Sequence, residues 1–386
     1  MKRNMAADSP RAGASGGDRA WSRLLESISG PLVACAAALP VCVVISLSAG
    51  AGPFDLIAGL WTGAWGSADA LATTLGKLTP LLLTGLAVSM AYQARLLNIG
   101  CEGQLMLGAL ASAAFAASAK SLPASLLAPL TLIAGAVIGA AWAYPAVWLK
   151  QKRGVHEVIT TIFMNTIAIH LCEILVLGPL GDGTAIGRTR EIGDGAVWPP
   201  VWQYGAMGLT IAPFFAVVLG FLAHFWLSGT PWGFEVKAAG CNPESARAAG
   251  IEVERWQKRM FLLSGALAGL AGALEVVAVH HRFYRAFSPG YGFDGITAAF
   301  LANAAPGWVW LSGLLLAGLR AADKWLQLAV GISPSSIYII QACLLLSVAG
   351  QPGIRDGLGR LVSNLRAGGR MPLGEHARTG EPESRP

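Results

Sequence analysis

Residues 124–149 have the sequence A-S-L-L-A-P-L-T-L-I-A-G-A-V-I-G-A-A-W-A-Y-P-A-V-W-L, which contains no Asp, Glu, Lys or Arg. A helix of about 20 apolar residues crosses the hydrocarbon layer of a bilayer, which is about 30 Å thick. Of the 386 residues, 54% are apolar and 13% are charged. An ordinary soluble domain has about 25% charged residues. A soluble core could hide one such run, but similar runs recur along this chain. The sequence therefore predicts an integral membrane protein.

Nine further apolar runs predict additional membrane spans. They lie at residues 31–50, 71–92, 102–118, 156–178, 205–228, 260–280, 294–305, 307–323 and 335–350. Pro306-Gly307 interrupts the stretch 294–323, which is therefore either one broken helix or two spans. We predict an all-α polytopic membrane protein with about ten transmembrane helices, within a range of roughly eight to ten.

The distribution of Lys and Arg predicts the orientation. Basic loops stay on the cytoplasmic side, so the net charge of +6 is a topology signal rather than a sign of nucleic-acid binding. Residues 1–30 are polar and rich in Gly, Ser and Arg, which predicts a disordered cytoplasmic tail. We expect a transmembrane domain at 31–350, with a cytoplasmic loop at 229–259. A second cytoplasmic tail is expected at 351–386.

Two short segments suggest a weak internal repeat. The sequence N-I-G-C-E-G at 98–103 and the sequence G-Y-G-F-D-G at 290–295 each place an acid and a glycine before an Ala- and Leu-rich run. Transporters are commonly built from two related halves, with broken helices at the substrate site. Chance similarity in an Ala- and Gly-rich chain is the alternative explanation.

The loop at 229–259 contains a well-marked short helix. Asn242 is a favoured N-cap, Pro243 fits the first helical position, and Gly250 supplies a stop. A helix of about seven residues is unstable alone in water, so it must pack on something. Ala246 and Ala249, with Ile251 and the flanking Arg247, offer a small contact surface. The hypothesis is a coupling helix that docks on a partner; the alternative is packing on the membrane or on its own bundle.

Ionisable residues inside spans are costly and usually face a cavity or pair with each other. They are His170, Glu173, Glu275, His280, His281, Glu102 and Asp294. For Glu102 and Asp294, stabilisation by a helix dipole is an equally good explanation. The glycines Gly135, Gly139, Gly265, Gly269 and Gly272 predict close helix packing.

Sequence motifs for nucleotide hydrolysis and for metal binding are absent. The chain has no GxxxxGK[ST] phosphate loop, and His156-Glu157 is not followed by the second His of a zinc-protease helix. Its six cysteines are scattered, without metal-ligand or disulfide spacing. We therefore predict no catalytic residue, no metal site and no cofactor on this chain.

Four segments together resemble a known family. They are L-L-N-I-G-C-E-G-Q-L-M-L-G-A at 96–109, K-R-G-V-H-E-V-I-T-T-I at 152–162, the N-P-containing segment 237–251, and H-H-R-F-Y-R-A-F-S-P-G-Y-G-F-D-G-I at 280–296. From about residue 70 to 350 the chain resembles permease subunits of bacterial ATP-binding-cassette importers for branched-chain amino acids, simple sugars and nucleosides. The segment 280–296 most resembles the nucleoside-type branch, although 301–306 lacks a basic residue often found there.

The resemblance implies a type II importer-like fold in a bacterial inner membrane, with both termini cytoplasmic. It implies cytoplasmic subunits that bind ATP and Mg, a second permease that forms a heterodimer with this chain, an extracytoplasmic substrate-binding lipoprotein and contact with membrane lipid, but no nucleic acid. Nucleosides are the expected cargo, and simple sugars or amino acids are the alternative cargoes. The alternative mechanism is an ion-coupled transporter instead of an ATP-driven one.

The resemblance and the span pattern together give two sets of candidate residues. The substrate-path candidates are Asn98, Glu102, Gln104, Asn165, Glu173, Glu275 and Asp294. The candidates for coupling to the ATP-hydrolysing subunits are Gly240, Asn242, Pro243, Ala246, Arg247, Ala249 and Gly250.

Overall fold

A computed structural model describes residues 39–48, 50–204, 207–329, 331, 333 and 335–349. The predicted tails 1–30 and 351–386 lie outside the described residues, as does the first part of the predicted span 31–50.

Within these ranges the chain is helical apart from its connections and one small hairpin. The helices are α1 Leu39–Ser48, α2 Asp55–Trp65, α3 Ala68–Gln93, α4 Cys101–Ser118, α5 Ala124–Arg153, α6 Glu157–Leu177, α7 Ala212–Gly229, α8 Pro231–Cys241, α9 Pro243–Ala248, α10 Val253–Glu275, α11 Tyr291–Leu301, α12 Val309–Ala329 and α13 Ser335–Ala349. A π-helical turn, Val276–His280, extends α10. The hairpin strands are β1 Trp202–Tyr204 and β2 Met207–Leu209.

Five of the described helices are long and apolar enough to cross a membrane: α3, α5, α6, α7 and α10 with its π turn. A sixth candidate is the pair formed by α11 and the segment 306–329, which bends by 108° at the Pro306 break. The chain is therefore an α-helical, multi-pass membrane protein, as its composition predicts.

Two details differ from the sequence-based predictions. The predicted span 205–228 is a helix only from Ala212 onward, because the preceding residues pair as β1 and β2 and Pro213 favours a helix start. The predicted connection 51–70 contains α2. No charged residue separates β2 from α7, so hydropathy alone could not place the start of the helix.

The helices at the centre of the bundle are α3 and α10. In the most apolar window of each, 72% is buried inside the protein, against 22% for α5 and α6 and 28% for α7. Large side chains on the outer helices, such as Phe163 and Phe225, are exposed and suit contact with lipid. The central helices therefore carry the intramolecular packing.

The glycine pattern has the predicted role. A Cβ atom at Gly135, Gly139, Gly265, Gly269 or Gly272 would lie within 3.0 Å of atoms of a facing helix. For Gly269 those atoms are the backbone of α5, and for Gly272 they are the backbone of α4. The prediction of close packing through glycine is confirmed for these helices.

One end of the bundle collects the basic residues. Arg95, just after α3, lies 3.5 Å from the carbonyl oxygen of Cys241, and Gln151 near the end of α5 donates to the carbonyl of Glu254 over 2.6 Å. Lys150 pairs with Glu157 at 2.5 Å. We call this the basic end.

The opposite end, which we call the loop end, is formed by the connections 178–211 and 281–290. These connections bond to each other: Thr189 N–H donates to Phe283 O over 2.9 Å, and Ile192 N–H donates to His281 O over 3.1 Å. Hydrogen bonds from the Thr184 side chain and backbone, together with Arg188, lower the pKa of Asp182 to about 2. Hydrogen bonds and ion pairs within and between these two connections therefore fix the loop end.

Candidate functional site

A cavity of about 560 Å³ opens at the loop end of the bundle. Its wall consists of part of α3, the last turns of α10 with the π turn, residues within 197–203 and 208–212, and Tyr291 at the start of α11. The volume lies within the range of pockets that take small molecules, about 300–1,000 Å³. The cavity is therefore a candidate site of solute contact.

The cavity contains charged and polar side chains inside an apolar bundle. Lys77 and Glu275 both line it, and the Glu275 residue is 4% exposed. Glu275 Oε2 lies 3.5 Å from His280 Nε2, which in turn lies 3.4 Å from the Tyr284 hydroxyl. Ionisable groups at this depth favour a hydrated cavity, because apolar surroundings would penalise their charge.

An aromatic side chain, Trp198, and a neutral amide, Gln203, also line the cavity. The backbone N–H of Trp198 donates to Val277 O over 2.9 Å, which fixes the segment 197–200 against the π turn. Trp198 also packs edge-on against Phe215, with ring centroids 5.8 Å apart. Gln203 on β1 lines the same cavity. The hairpin thus contributes the part of the wall nearest the loop end.

The floor of the cavity lies where α11 begins inside the bundle. The hydroxyl of Thr84, in the middle of α3, donates to Tyr291 O over 3.0 Å. Glu102 Oε2, at the start of α4, accepts the N–H of Gly292 over 2.7 Å. The starts of the two helices in the weak repeat therefore meet, and an acid of the first helix satisfies a free N–H of the second.

Asp294 is neutralised within the bundle. Its Oδ2 atom accepts a hydrogen bond from Nε of Arg320 on α12 over 2.7 Å, and Nη2 of the same guanidinium lies 2.7 Å from Oδ2 as an ion pair. Both residues are buried, at 5% and 7% exposure. The Arg320 guanidinium also lies 4.4 Å from the ring centroid of Tyr338 on α13. This pair joins α11 to α12 and α13.

Asn98, Gln104 and Asn165 form a buried network with the backbone. Asn98 Nδ2 donates to Gln104 Oε1 over 2.8 Å and to Ser264 Oγ over 2.9 Å. Asn165 Oδ1 accepts from Gly103 N–H over 2.9 Å, and its Nδ2 donates to Ile99 O over 2.8 Å. These contacts give each of the three side-chain amides a hydrogen-bond partner and fix the turn before α4.

Glu173 lies near the loop-end terminus of α6, away from the cavity wall. It accepts a hydrogen bond from Arg285 Nε over 3.0 Å and lies 3.2 Å from His170 Nδ1. Of the seven substrate-path candidates, Glu275 is the one that lines the cavity within the described part of the chain.

The short helix α9 lies at the basic end with the predicted cap. Asn242 Oδ1 accepts the N–H groups of Glu244 and Ser245, each over 3.1 Å, and Pro243 opens the helix. Ala246 is buried against Ala239 and Val253 of the same chain. The cap is therefore confirmed, and Ala246 holds the helix in place instead of being presented to a partner.

The remaining coupling candidates divide into internal and exposed groups. A Cβ at Gly240 would collide with the carbonyl of Gln93, so α8 packs directly on the end of α3. Gly250 has a φ of +83°, which favours glycine, and reverses the chain into α10. Arg247 and Ala249 are exposed, and Arg247 pairs with Glu254 at 2.5 Å.

Comparison with known proteins identifies the family. Residues 70–349 match the family described as branched-chain amino acid transport system / permease component. The chain belongs to this family.

The permease also resembles curated proteins over most of its length. It is 36% identical to a glucose ABC transporter permease protein of Haloferax volcanii, over 82% of this chain and 85% of the relative. It is 32% identical to a guanosine ABC transporter permease protein of Bacillus subtilis, over 86% and 95% of the two chains. It is 30% identical to a nucleoside ABC transporter permease protein of Lactococcus lactis, over 83% and 90%.

These likenesses establish the class of protein. The permease is a membrane transport subunit and not an enzyme, and in such systems separate ATP-binding subunits hydrolyse ATP. The chain's lack of a phosphate loop agrees with this division of labour.

Sequence analysis missed five residues that line the cavity, Lys77, Thr79, Trp198, Gln203 and Tyr291. It also missed Arg320, the partner of Asp294. Lys77 is the single charged residue in the run 71–92, and a lone charge in a span is a sequence signal that could have identified it. Trp198 and Gln203 gave no such signal, because they lie in a connection whose path depends on the folded bundle.

Proposed function

We propose that this permease forms part of the translocation path of an ATP-driven importer for nucleosides. The observation that carries the proposal is α9, a capped helix with an exposed face at the basic end of a chain that lacks a nucleotide-binding motif. The relatives named for guanosine and nucleosides, and the segment 280–296 beside the cavity, support the cargo. The relative named for glucose favours simple sugars as the second candidate.

The proposal includes the topology and the assembly. About ten membrane-crossing helices in two weakly related halves, of the type II importer kind, place the basic end and both termini in the cytoplasm of a bacterial cell. A second, different permease completes the path within the lipid bilayer. Two cytoplasmic subunits bind ATP and Mg, and an extracytoplasmic lipoprotein delivers the solute. The meeting of α4 and α11 at their starts supports the relation between the halves.

The first experiment measures uptake of radiolabelled nucleosides by cells with and without the gene for this chain. Deletion should abolish ATP-dependent nucleoside uptake, and the intact chain should restore it. Glucose and amino acids serve as competing solutes, because preferential uptake of either would replace the proposed cargo. Concentrative uptake into liposomes by the purified chain alone, driven by protons or sodium, would favour the ion-coupled alternative.

Ala249→Arg is expected to uncouple ATP hydrolysis from transport. Ala249 is exposed beside α9, so the new side chain should disturb a partner surface without disturbing the bundle. Uptake should fall about tenfold or more, while an exposed substitution of this kind changes stability by only about 0.5 kcal/mol. Uptake and ATPase rates of the reconstituted importer measure the effect.

Ala249→Ser is the matched control, because it alters polarity at the same position without adding bulk. It should retain uptake. If Ala249→Arg transported at the normal rate with ATPase activity still stimulated, this face of the α9 region would not contact the ATP-hydrolysing subunits.

A further inference from the structure

The cavity at the loop end has a balanced charge, which restricts the solutes that it can bind. Its charged lining residues in the described chain are Lys77 and Glu275, accompanied by His280 and His281. One ammonium and one carboxylate leave no net charge to attract an anion or a cation. The lining therefore suits a neutral solute that can both donate and accept hydrogen bonds.

Thr79 borders the cavity, but its hydroxyl oxygen is buried behind the cavity surface. The residue is 2% exposed, and the hydroxyl has no hydrogen-bond partner among the described residues. Buried hydroxyl groups are normally satisfied, so this one calls for a partner as small as a water molecule within the wall. The hydroxyl lies on the same helix as Lys77, one half-turn further along.

We propose that this cavity binds a neutral solute with neighbouring hydroxyl groups, which donate to Glu275 while the solute's ring lies against Trp198 or Tyr291. This inference rests on the proposed function and deepens it. A carboxylate has two acceptor oxygens and so can take both hydrogens of a vicinal diol. Glucose and the ribose of a nucleoside share that diol, although the rest of their structures differ.

Lys77 completes the recognition of such a solute. Its ammonium donates to a solute oxygen in the cavity. The two aromatic side chains contact the faces of a sugar or base, which is how apolar walls and a few polar groups share a binding site. Glu275 is then a specificity-determining residue, because a deoxy solute leaves its carboxylate partly unpaired.

The test uses the complex of both permeases and the ATP-binding subunits in nanodiscs, without the binding protein. Gln203→Cys places a thiol at the cavity mouth, where a polar maleimide can label it. The labelling rate in excess of the rate for the parent complex measures the accessibility of this thiol. Uridine should slow the labelling, and 2′,3′-dideoxyuridine should require a concentration about tenfold higher or more for the same protection, given hydrogen bonds to a charged group.

Glu275→Gln should remove most of the difference between uridine and its dideoxy analogue. The same change at Glu191, an exposed acid that pairs with Arg282 on the loop-end surface, is the matched control and should preserve the difference. If Glu275→Gln fails to assemble, the comparison of the two solutes on the Gln203→Cys complex still decides whether the diol is recognised.

Two outcomes overturn the inference: no protection by millimolar uridine or glucose, or equal protection by uridine and the dideoxy analogue. Uridine uptake by the same complex with its binding protein is measured in parallel in proteoliposomes. Uptake without protection would reject the diol site alone. Absence of uptake would reject the proposed nucleoside function, and protection by glucose in that case would retain the diol site for a sugar.

Discussion

Gly269→Leu is expected to prevent the permease from accumulating in a folded form. Gly269 lies on α10, and even a Cβ there would fall within 3.0 Å of the Gly135 and Gly139 backbone on α5. A backbone cannot move aside as a flexible side chain does, so α5 and α10 must separate. Overpacking of a well-packed core costs about 1–3 kcal/mol, and the loss here should reach the upper end of that range or exceed it.

Size-exclusion chromatography of a fluorescent fusion and the thermal midpoint in detergent measure this effect. Gly220→Leu on α7 is the matched control, because nothing lies within 4 Å of a Cβ at that position. The control should retain the normal elution profile, since leucine also favours the helix over glycine by up to about 1 kcal/mol. Equal behaviour of the two variants would contradict the role given to the α5–α10 contact.

The main helices were predictable because their signal is contained in each segment. Membrane insertion depends on local apolar content, so the run 124–149 predicts α5 without information from any other part of the chain. The glycine pattern at Gly265 and Gly269 is also local, and so is the Asn242 cap. The hairpin was missed because β2 continues into α7 without a charged residue between them, so that the two were interpreted as one apolar run.

The site was less predictable because it depends on contacts between distant segments. Glu275 and Lys77 line one cavity although nearly two hundred residues separate them in sequence. The rule that buried acids mark function selected Glu102 and Asp294 as well as Glu275. In the structure Glu102 bonds to Gly292 and Asp294 pairs with Arg320, so these acids have structural partners. Composition cannot distinguish an acid that has such a partner from one that faces a cavity.

Prediction from sequence also failed to give the long-range contacts of the α9 region at the basic end. Sequence correctly gave the cap and the stop of this helix, because both are set by residues within a single turn. It could not show that Ala246 faces Ala239 and Val253, since that depends on how α8 and α10 pack. The exposed Ala249 is therefore a sharper test of partner docking than Ala246, whose substitution would disturb the fold.

Arg320→Met is expected to destabilise the permease and to abolish transport. It removes the cation that pairs with the buried Asp294, and it leaves a carboxylate without its partner inside the bundle. Breaking a buried ion pair in this way costs about 3–5 kcal/mol. Because Asp294 lies one turn from Tyr291, a shift of α11 would also move the cavity floor. The thermal midpoint and nucleoside uptake measure the two effects.

The double variant Asp294→Asn/Arg320→Met separates loss of charge pairing from loss of side-chain volume. It leaves no unpaired charge, and Met fills much of the space of the Arg stem, so it should recover most of the lost stability. Transport should recover less, because Asn and Met cannot reproduce the hydrogen-bonded ion pair that holds α11 to α12. A double variant no more stable than Arg320→Met alone would show that packing of Arg320 against Tyr338, and not the ion pair, is what stabilises this part of the bundle.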